Sequence, residues 1–325
     1  MTEVVVITGA SGGVGRATAH AFGAHGAAVA LLARDREGLE DAAREVERLG
    51  GRALVIPTDV ADPAQVESAA EQAERELGPI DVWVNDAMAT VFARFVDVEP
   101  DEYKRATEVT YLGTVYGTMA ALRRMVARDR GTVVQVGSAL SYRAIPLQSA
   151  YCGAKFGIRG FTDSVRTELE HDGSKVWITM VQLPAVNTPQ FGWCRTKLPD
   201  HPQPVPPIFE PEVPAKAIYW AAHHHRRELV VGGSAVKAIV GNKLSPRFAD
   251  WYLARTGFDA QQIKDFPVNG RRDNLFEPVP GMASTHGIFD DRSRTRSYQL
   301  WLTTHRPLVA GALAAAAAGL IRAIR

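Results

Sequence analysis

The stretch Thr8-Gly9-Ala10-Ser11-Gly12-Gly13-Val14-Gly15 constrains the fold of this chain more than any other. It follows a short continuous apolar run at residues 4–8, as expected for a central parallel strand covered on both faces. After it, the pattern predicts a helix over residues 16–25. Strand, glycine-rich turn and helix in this order form a dinucleotide-binding unit. The first amides of such a helix are unpaired and its dipole adds partial positive charge, so a diphosphate is stabilised there. Gly9, Gly13 and Gly15 let the backbone turn and approach the ligand without a Cβ, and Ser11, Gly12 and Val14 complete the cradle.

Strand and helix patterns then alternate. Strands are expected at 28–33, 53–58, 81–85, 133–138, 176–182 and 228–232, and helices at 36–49, 63–77, 101–128, 151–171 and 214–223. The fold class predicted is α/β: a Rossmann-type doubly wound parallel sheet of about seven strands with helices on both faces. It should occupy residues 1–233, with a helical and irregular extension over 234–297 and a tail helix over 298–325. An apolar content of 46% is enough to bury a full core. The second strand ends in Ala33-Arg34, where an acid would hold ribose hydroxyls and repel a 2′-phosphate. A guanidinium there instead favours NADP(H) over NAD(H). The other reading leaves Arg34 solvated and has Asp35 read the ribose.

A second constellation lies mid-chain. The strand ends in Ser138, and the helix after it carries Tyr151 and Lys155, one turn apart on the same face. A phenol ordinarily titrates near pH ~10, and a neighbouring ammonium favours the phenolate. Such a Tyr can give a proton to a carbonyl oxygen or take one from an alcohol, while a Ser hydroxyl holds that oxygen.

The glycine motif, followed by Ser138 and then the Tyr151/Lys155 pair, resembles the short-chain dehydrogenase/reductase family over roughly residues 3–233. The resemblance implies an oxidoreductase moving hydride between a nicotinamide and a carbonyl or alcohol. In it Tyr151 is the proton donor or acceptor, Ser138 positions the substrate oxygen, and Lys155 lowers the Tyr pKa and holds nicotinamide ribose hydroxyls. It lays Asp59-Val60 along the adenine ring and matches Asn85 and Ala87 to an Asn-Asn-Ala-Gly motif, from which Asp86 and Met88 depart. Pro184, Val186 and Thr188 would hold the nicotinamide carboxamide. Where the family carries a relay Asn, this chain has Thr110, whose hydroxyl can still hold a water. Two other readings stand beside hydride transfer. One is a nucleotide-binding sensor or scaffold with negligible turnover, and the other an epimerase or dehydratase using the same triad.

Residues 185–214, rich in Pro and including Phe191, Trp193, Ile208 and Phe209, read as a substrate loop suited to a hydrophobic carbonyl or alcohol. Residues 246–256 read as a helix with an apolar stripe, and residues 270–297 as an irregular arm over the surface that could pack on a second subunit of a homo-oligomer. With 37 basic and 36 acidic side chains, no global field recruits nucleic acid. Cys152 and Cys194 cannot make a disulfide framework, no Cys/His spacing resembles a metal site, and the His223-His224-His225 run reads as a solvated helix end. A cytoplasmic location is expected, the N-terminus reading as a strand rather than a signal peptide. Residues 307–321 carry no charge and would reach ~22 Å as a helix, short of a ~30 Å hydrocarbon core. Peripheral membrane association through 307–324 is the less favoured reading of that tail.

Overall fold

The computed structural model describes residues 2–268 and 270–309. Seven parallel strands form the central sheet: β1 (Val4–Thr8), β2 (Ala28–Ala33), β3 (Arg52–Pro57), β4 (Val82–Asn85), β5 (Thr132–Ser138), β6 (Trp177–Leu183) and β7 (Glu228–Val230). Their order is β7-β6-β5-β4-β1-β2-β3, so the chain reverses direction across the sheet between β1 and β4. A crevice opens outside the carboxyl ends of strands at such a switch point, and ligands bind there.

Because side chains alternate across a strand, each strand feeds two cores. Val5 and Ile7 of β1 pack with Val29, Val84 and Val136 against Phe22, Leu39 and Ile218, on the face covered by α1 (Gly13–Gly23), α2 (Arg36–Arg48) and the helix Glu212–Ala222. Val4 and Val6 face the other way, with Leu32, Trp83 and Ile178, onto Val66, Ala69, Ala120 and Met125. These last belong to α3 (Pro63–Leu77) and the helix Gly113–Arg128. Helix starts are set locally: Asp62 accepts from the amides of Ala64 and Gln65 at 2.9 and 3.3 Å, and Pro63 costs nothing in the first turn.

The helix expected over 101–128 is divided. It runs as α4 (Pro100–Thr107), a π turn at Glu108–Leu112 and α5 (Gly113–Arg128). The helix carrying Tyr151 and Lys155 is α6 (Ser149–His171), and α7 (Glu212–Ala222) begins two residues earlier than the pattern suggests. Residues 185–211 hold short strand pairs over a third cluster formed by Phe92, Leu147, Phe191, Leu198, Ile208 and Phe289. Beyond β7 come α8 (Gly233–Leu244), α9 (Pro246–Thr256), a strand at Gln262–Pro267 paired with Asp200–Pro202, and α10 (Tyr298–Thr304).

The arm after residue 270 takes a different course from the one its polar sequence suggests. It folds back on its own chain, with Asn274 N donating to Trp193 O at 2.8 Å and Gly13 N donating to Ser284 O at 2.9 Å. Arg271 donates to the carbonyls of Phe191 and Cys194, both at 2.6 Å, and Phe289 is fully buried. From residue 310 the apolar tail lies outside the described residues. Among the described residues, no helix is long and apolar enough to cross a membrane.

Candidate active site

The glycine turn sits at the carboxyl end of β1, and two of its glycines are required by geometry. Gly9 has φ +74°, and a Cβ there would lie 2.9 Å from the Ala87 Cα; a Cβ on Gly15 would lie 2.3 Å from the Gly9 carbonyl oxygen. Thr8 closes the turn from below, its hydroxyl accepting from the amides of Asp86 and Ala87 at 3.0 and 3.1 Å. The ends of β1 and β4 are thereby locked at one level.

A cavity of about 640 Å³ runs from this turn to the end of β5. Of the residues singled out from sequence, it is lined by Gly9, Ser11, Gly12, Gly13, Val14, Arg34, Asp59, Val60, Ala87, Ser138, Tyr151, Lys155, Pro184, Val186 and Thr188. Gly15, Asn85 and Thr110 do not line it. Gly15 lies one layer behind, against Gly9 and the Asp86 carboxylate. The side chain of Asn85 turns inward instead of toward a cofactor. It accepts from Trp83 Nε1 at 2.9 Å and donates to Thr118 and Gln135 at 3.1 and 2.9 Å. Thr110 spends its hydroxyl on one residue, donating to Ala89 O at 2.8 Å and accepting from Ala89 N at 2.9 Å.

At the inner end three polar groups converge. Ser138 accepts from Leu140 N at 3.1 Å and lies against the Tyr151 phenol, an interaction that works to lower the phenol's pKa. Burial acts more strongly the other way, and so, less strongly, do Cys152 and Asp86; the Tyr151 pKa ends well above the ordinary 10.0. The lowering expected from Lys155 is not among these effects. Lys155 is 3% exposed, its ammonium 5.4 Å from the Tyr151 ring centroid and donating to Val136 O at 2.6 Å. Burial lowers its pKa from 10.5, while the charge of Asp86 raises it. Asp86 in turn is raised from 3.8 by burial, against the pull of Lys155 and the Gly15 amide. Sequence reasoning passed over Asp86 as a local variation, although a carboxylate at a position where the family carries an amide is itself a signal.

Cys152, beside Tyr151, is a buried thiol whose pKa burial pushes up to about 11, so it is a packing group rather than a nucleophile. Further lining comes from elements that sequence patterns did not connect to the site. Gln148, Val205, Leu253 and Gln261 line it, as do Asn274 and Val279 of the arm; Trp193, expected on the substrate loop, lies instead over Gly12 of the cradle, its carbonyl accepting from Asn274 N at 2.8 Å.

These residues fit a nicotinamide dinucleotide. The amides of Ser11, Gly12 and Val14 have no acceptor among the described residues, although the cradle is covered by the chain itself: a Cβ on Gly12 would lie 3.0 Å from the Trp193 ring and 3.2 Å from the Ser284 carbonyl oxygen. Two expected donors are engaged by the arm: the Gly13 amide by Ser284, and the Arg34 guanidinium by the carbonyls of Asn274, Leu275 and Phe276.

Comparison with known proteins agrees with this arrangement. Residues 3–197 match the family model for short chain dehydrogenases. The uncharacterized oxidoreductase YxnA of Bacillus subtilis is 33% identical over 318 residues, covering 96% of this chain and 88% of that protein, so the likeness takes in most of the C-terminal extension. The 3-dehydrosphinganine reductase of Danio rerio is 36% identical over 192 residues, 58% of this chain and 57% of that protein. Among solved structures, an alcohol dehydrogenase from the archaeon Thermococcus sibiricus, complexed with 5-hydroxy-NADP, superposes with a TM-score of 0.62 at 26% identity, covering 71% of this chain and 96% of that one. With the seven-stranded sheet, the glycine cradle and the family match all in agreement, the chain belongs to the short-chain dehydrogenase family of oxidoreductases.

Proposed function

We propose that this protein is an NADP(H)-dependent reductase of carbonyl compounds in which Ser138, Tyr151 and Lys155 act as the catalytic triad. The observation that carries the reading is the convergence of these three side chains on one cavity that also contains the glycine cradle. A nicotinamide bound there would supply or accept hydride. Everything else falls to the chain's own groups.

Tyr151, its pKa raised by burial, keeps its proton at neutral pH, so it is set to donate to a carbonyl oxygen as negative charge develops there. The Ser138 hydroxyl positions the same oxygen. Lys155 brings positive charge to a buried site, where it stabilises an oxyanion more than it would in water. Ser11, Gly12 and Val14 hold the diphosphate through main-chain amides, Asp59 and Val60 flank the adenine, and Arg34 reads the 2′-phosphate. Pro184, Val186 and Thr188 hold the carboxamide end. The substrate side, with Ile145, Val205 and Leu253, favours an apolar ketone or aldehyde, in keeping with the 3-dehydrosphinganine reductase among the relatives. In this reading residues 1–233 carry the triad and the cradle, the extension closes the cavity over them, and the protein works as a homo-oligomer.

Incubation with NADPH and a panel of aliphatic and aromatic carbonyls, followed by loss of absorbance and by product mass, tests it. Reduced products two hydrogens heavier are expected. NADPH binding without turnover on any substrate would support a sensor, and isomerised or dehydrated product without net oxidation would support the epimerase or dehydratase reading.

A further inference from the structure

Arg34, just past the end of β2, lines the cavity; Arg105, on α4, stands behind it beside the lining residue Asp59. Both point at one acceptor. Arg34 Nη1 lies 3.4 Å from the Leu275 carbonyl oxygen and 2.7 Å from that of Phe276, and its Nη2 donates to the Asn274 carbonyl. Arg105 Nε donates to the same Leu275 oxygen at 3.2 Å, while its Nη2 is anchored by the Asp59 carboxylate at 2.5 Å. The Arg105 side chain is only 14% exposed, so its direction is fixed by its surroundings.

The two charges feel each other. Burial lowers the Arg34 pKa most and the Arg105 charge comes next, ahead of the opposing effects of Asp59 and Glu277. Among the described residues, the Arg34 hydrogen-bond partners are neutral main-chain carbonyls, beside a second guanidinium. Charged oxygens bond such donors more strongly than carbonyls do, and a phosphate offers several in the spacing a guanidinium fork accepts.

Resting on the NADP reading above, we propose that Arg105 is a second specificity-determining residue, clamping the 2′-phosphate jointly with Arg34. In this clamp the Leu275 carbonyl oxygen, which both guanidiniums share, marks the position a phosphate oxygen would take. NADP(H) must then displace the arm at Asn274–Phe276, whereas NAD(H), lacking that phosphate, leaves it seated.

Dissociation constants for NADPH and NADH, measured by fluorescence on the full chain and on Arg105→Gln and Arg105→Lys, test the clamp. Arg105→Gln should weaken NADPH by about tenfold, the scale of one lost charged hydrogen bond, and leave NADH close to wild type, which also reports an intact fold. Arg105→Lys should keep part of the preference. In parallel, amide hydrogen exchange over residues 273–277 of the wild-type protein should quicken with NADPH and stay unchanged with NADH. A wild-type ratio of the two affinities in either soluble variant, or equal slowing of exchange by both nucleotides, would overturn the clamp. A wild-type protein that binds NADH as tightly as NADPH would instead overturn the NADP reading itself.

Discussion

Lys155 donates its ammonium to the Val136 carbonyl oxygen at 2.6 Å. The bond ties α6 to β5 two residues before Ser138, so the same side chain that charges the cleft also braces the two elements bearing Tyr151 and Ser138. Lys155 and Tyr151 should thus fail differently. Tyr151→Phe removes one hydroxyl and should lower kcat by about 10²- to 10⁴-fold with an unchanged melting temperature. Lys155→Met should lose comparable turnover, and thermal unfolding should also fall measurably, because Val136 loses its buried donor. Equal melting temperatures for the two variants would show that the strut carries no stability.

Asp86 should shape the pH dependence. Burial raises its pKa and lowers that of Lys155, and each charge partly offsets the other's shift. Replacing the carboxylate in Asp86→Asn removes the charge that helps Lys155 keep its proton. The Lys155 pKa must then fall further, so the alkaline limb of the kcat profile should move to lower pH. A profile recorded between about pH 5 and pH 10 covers the ordinary values of both groups. An unmoved alkaline limb would mean that Lys155 does not feel Asp86 during turnover.

The parts of the site readable in sequence were those whose geometry is local. A glycine turn between strand and helix, and a Tyr/Lys pair one turn apart, carry their spatial relation in their spacing. Asn85 and Thr110 were expected to serve the cofactor or the relay, but their direction is decided by partners far along the chain, Gln135 with Thr118 for one and Ala89 for the other. The arm was legible least. Its polar, glycine- and proline-rich sequence has no period to reveal a docking face, and its contacts with Gly13 and Arg34 span some 240 residues or more. Arg105 escaped notice for the same reason, as one of several charges on a helix until Leu275 and Asp59 give it a direction.

Thr110 offers a test of relay against packing. Its fully buried hydroxyl, on the π turn, both donates to and accepts from Ala89. Thr110→Val keeps the shape and strands both Ala89 groups, at a cost of about 1–3 kcal/mol in unfolding free energy. Thr110→Ser, which retains the hydroxyl, should recover most of that. Urea unfolding of the three proteins reads this directly. If Thr110→Val were as stable as wild type but lost turnover, the hydroxyl would belong to proton transfer rather than to the turn.

Glu45 gives the clearest stability-versus-pH prediction. Its carboxylate accepts from Arg16 Nε and Nη2 at 2.7 and 2.8 Å and lies 2.7 Å from His20 Nε2, while Arg16 Nη1 also holds the arm through Ala283 O at 3.2 Å. The Arg16 hydrogen bond is the largest cause holding the Glu45 pKa down, to about 2 from an ordinary 4.5. A depressed acid contributes stability that is fully present above its unfolded value and is lost as pH falls through the folded one. Glu45→Gln leaves the Arg16 guanidinium, 6% exposed, without its counter-charge and should cost about 3 kcal/mol at neutral pH. The gap in melting temperature between variant and wild type should stay constant above about pH 5 and narrow steadily toward pH 2. A gap that instead persisted undiminished at pH 3 would place the effect in packing rather than in the ion pair.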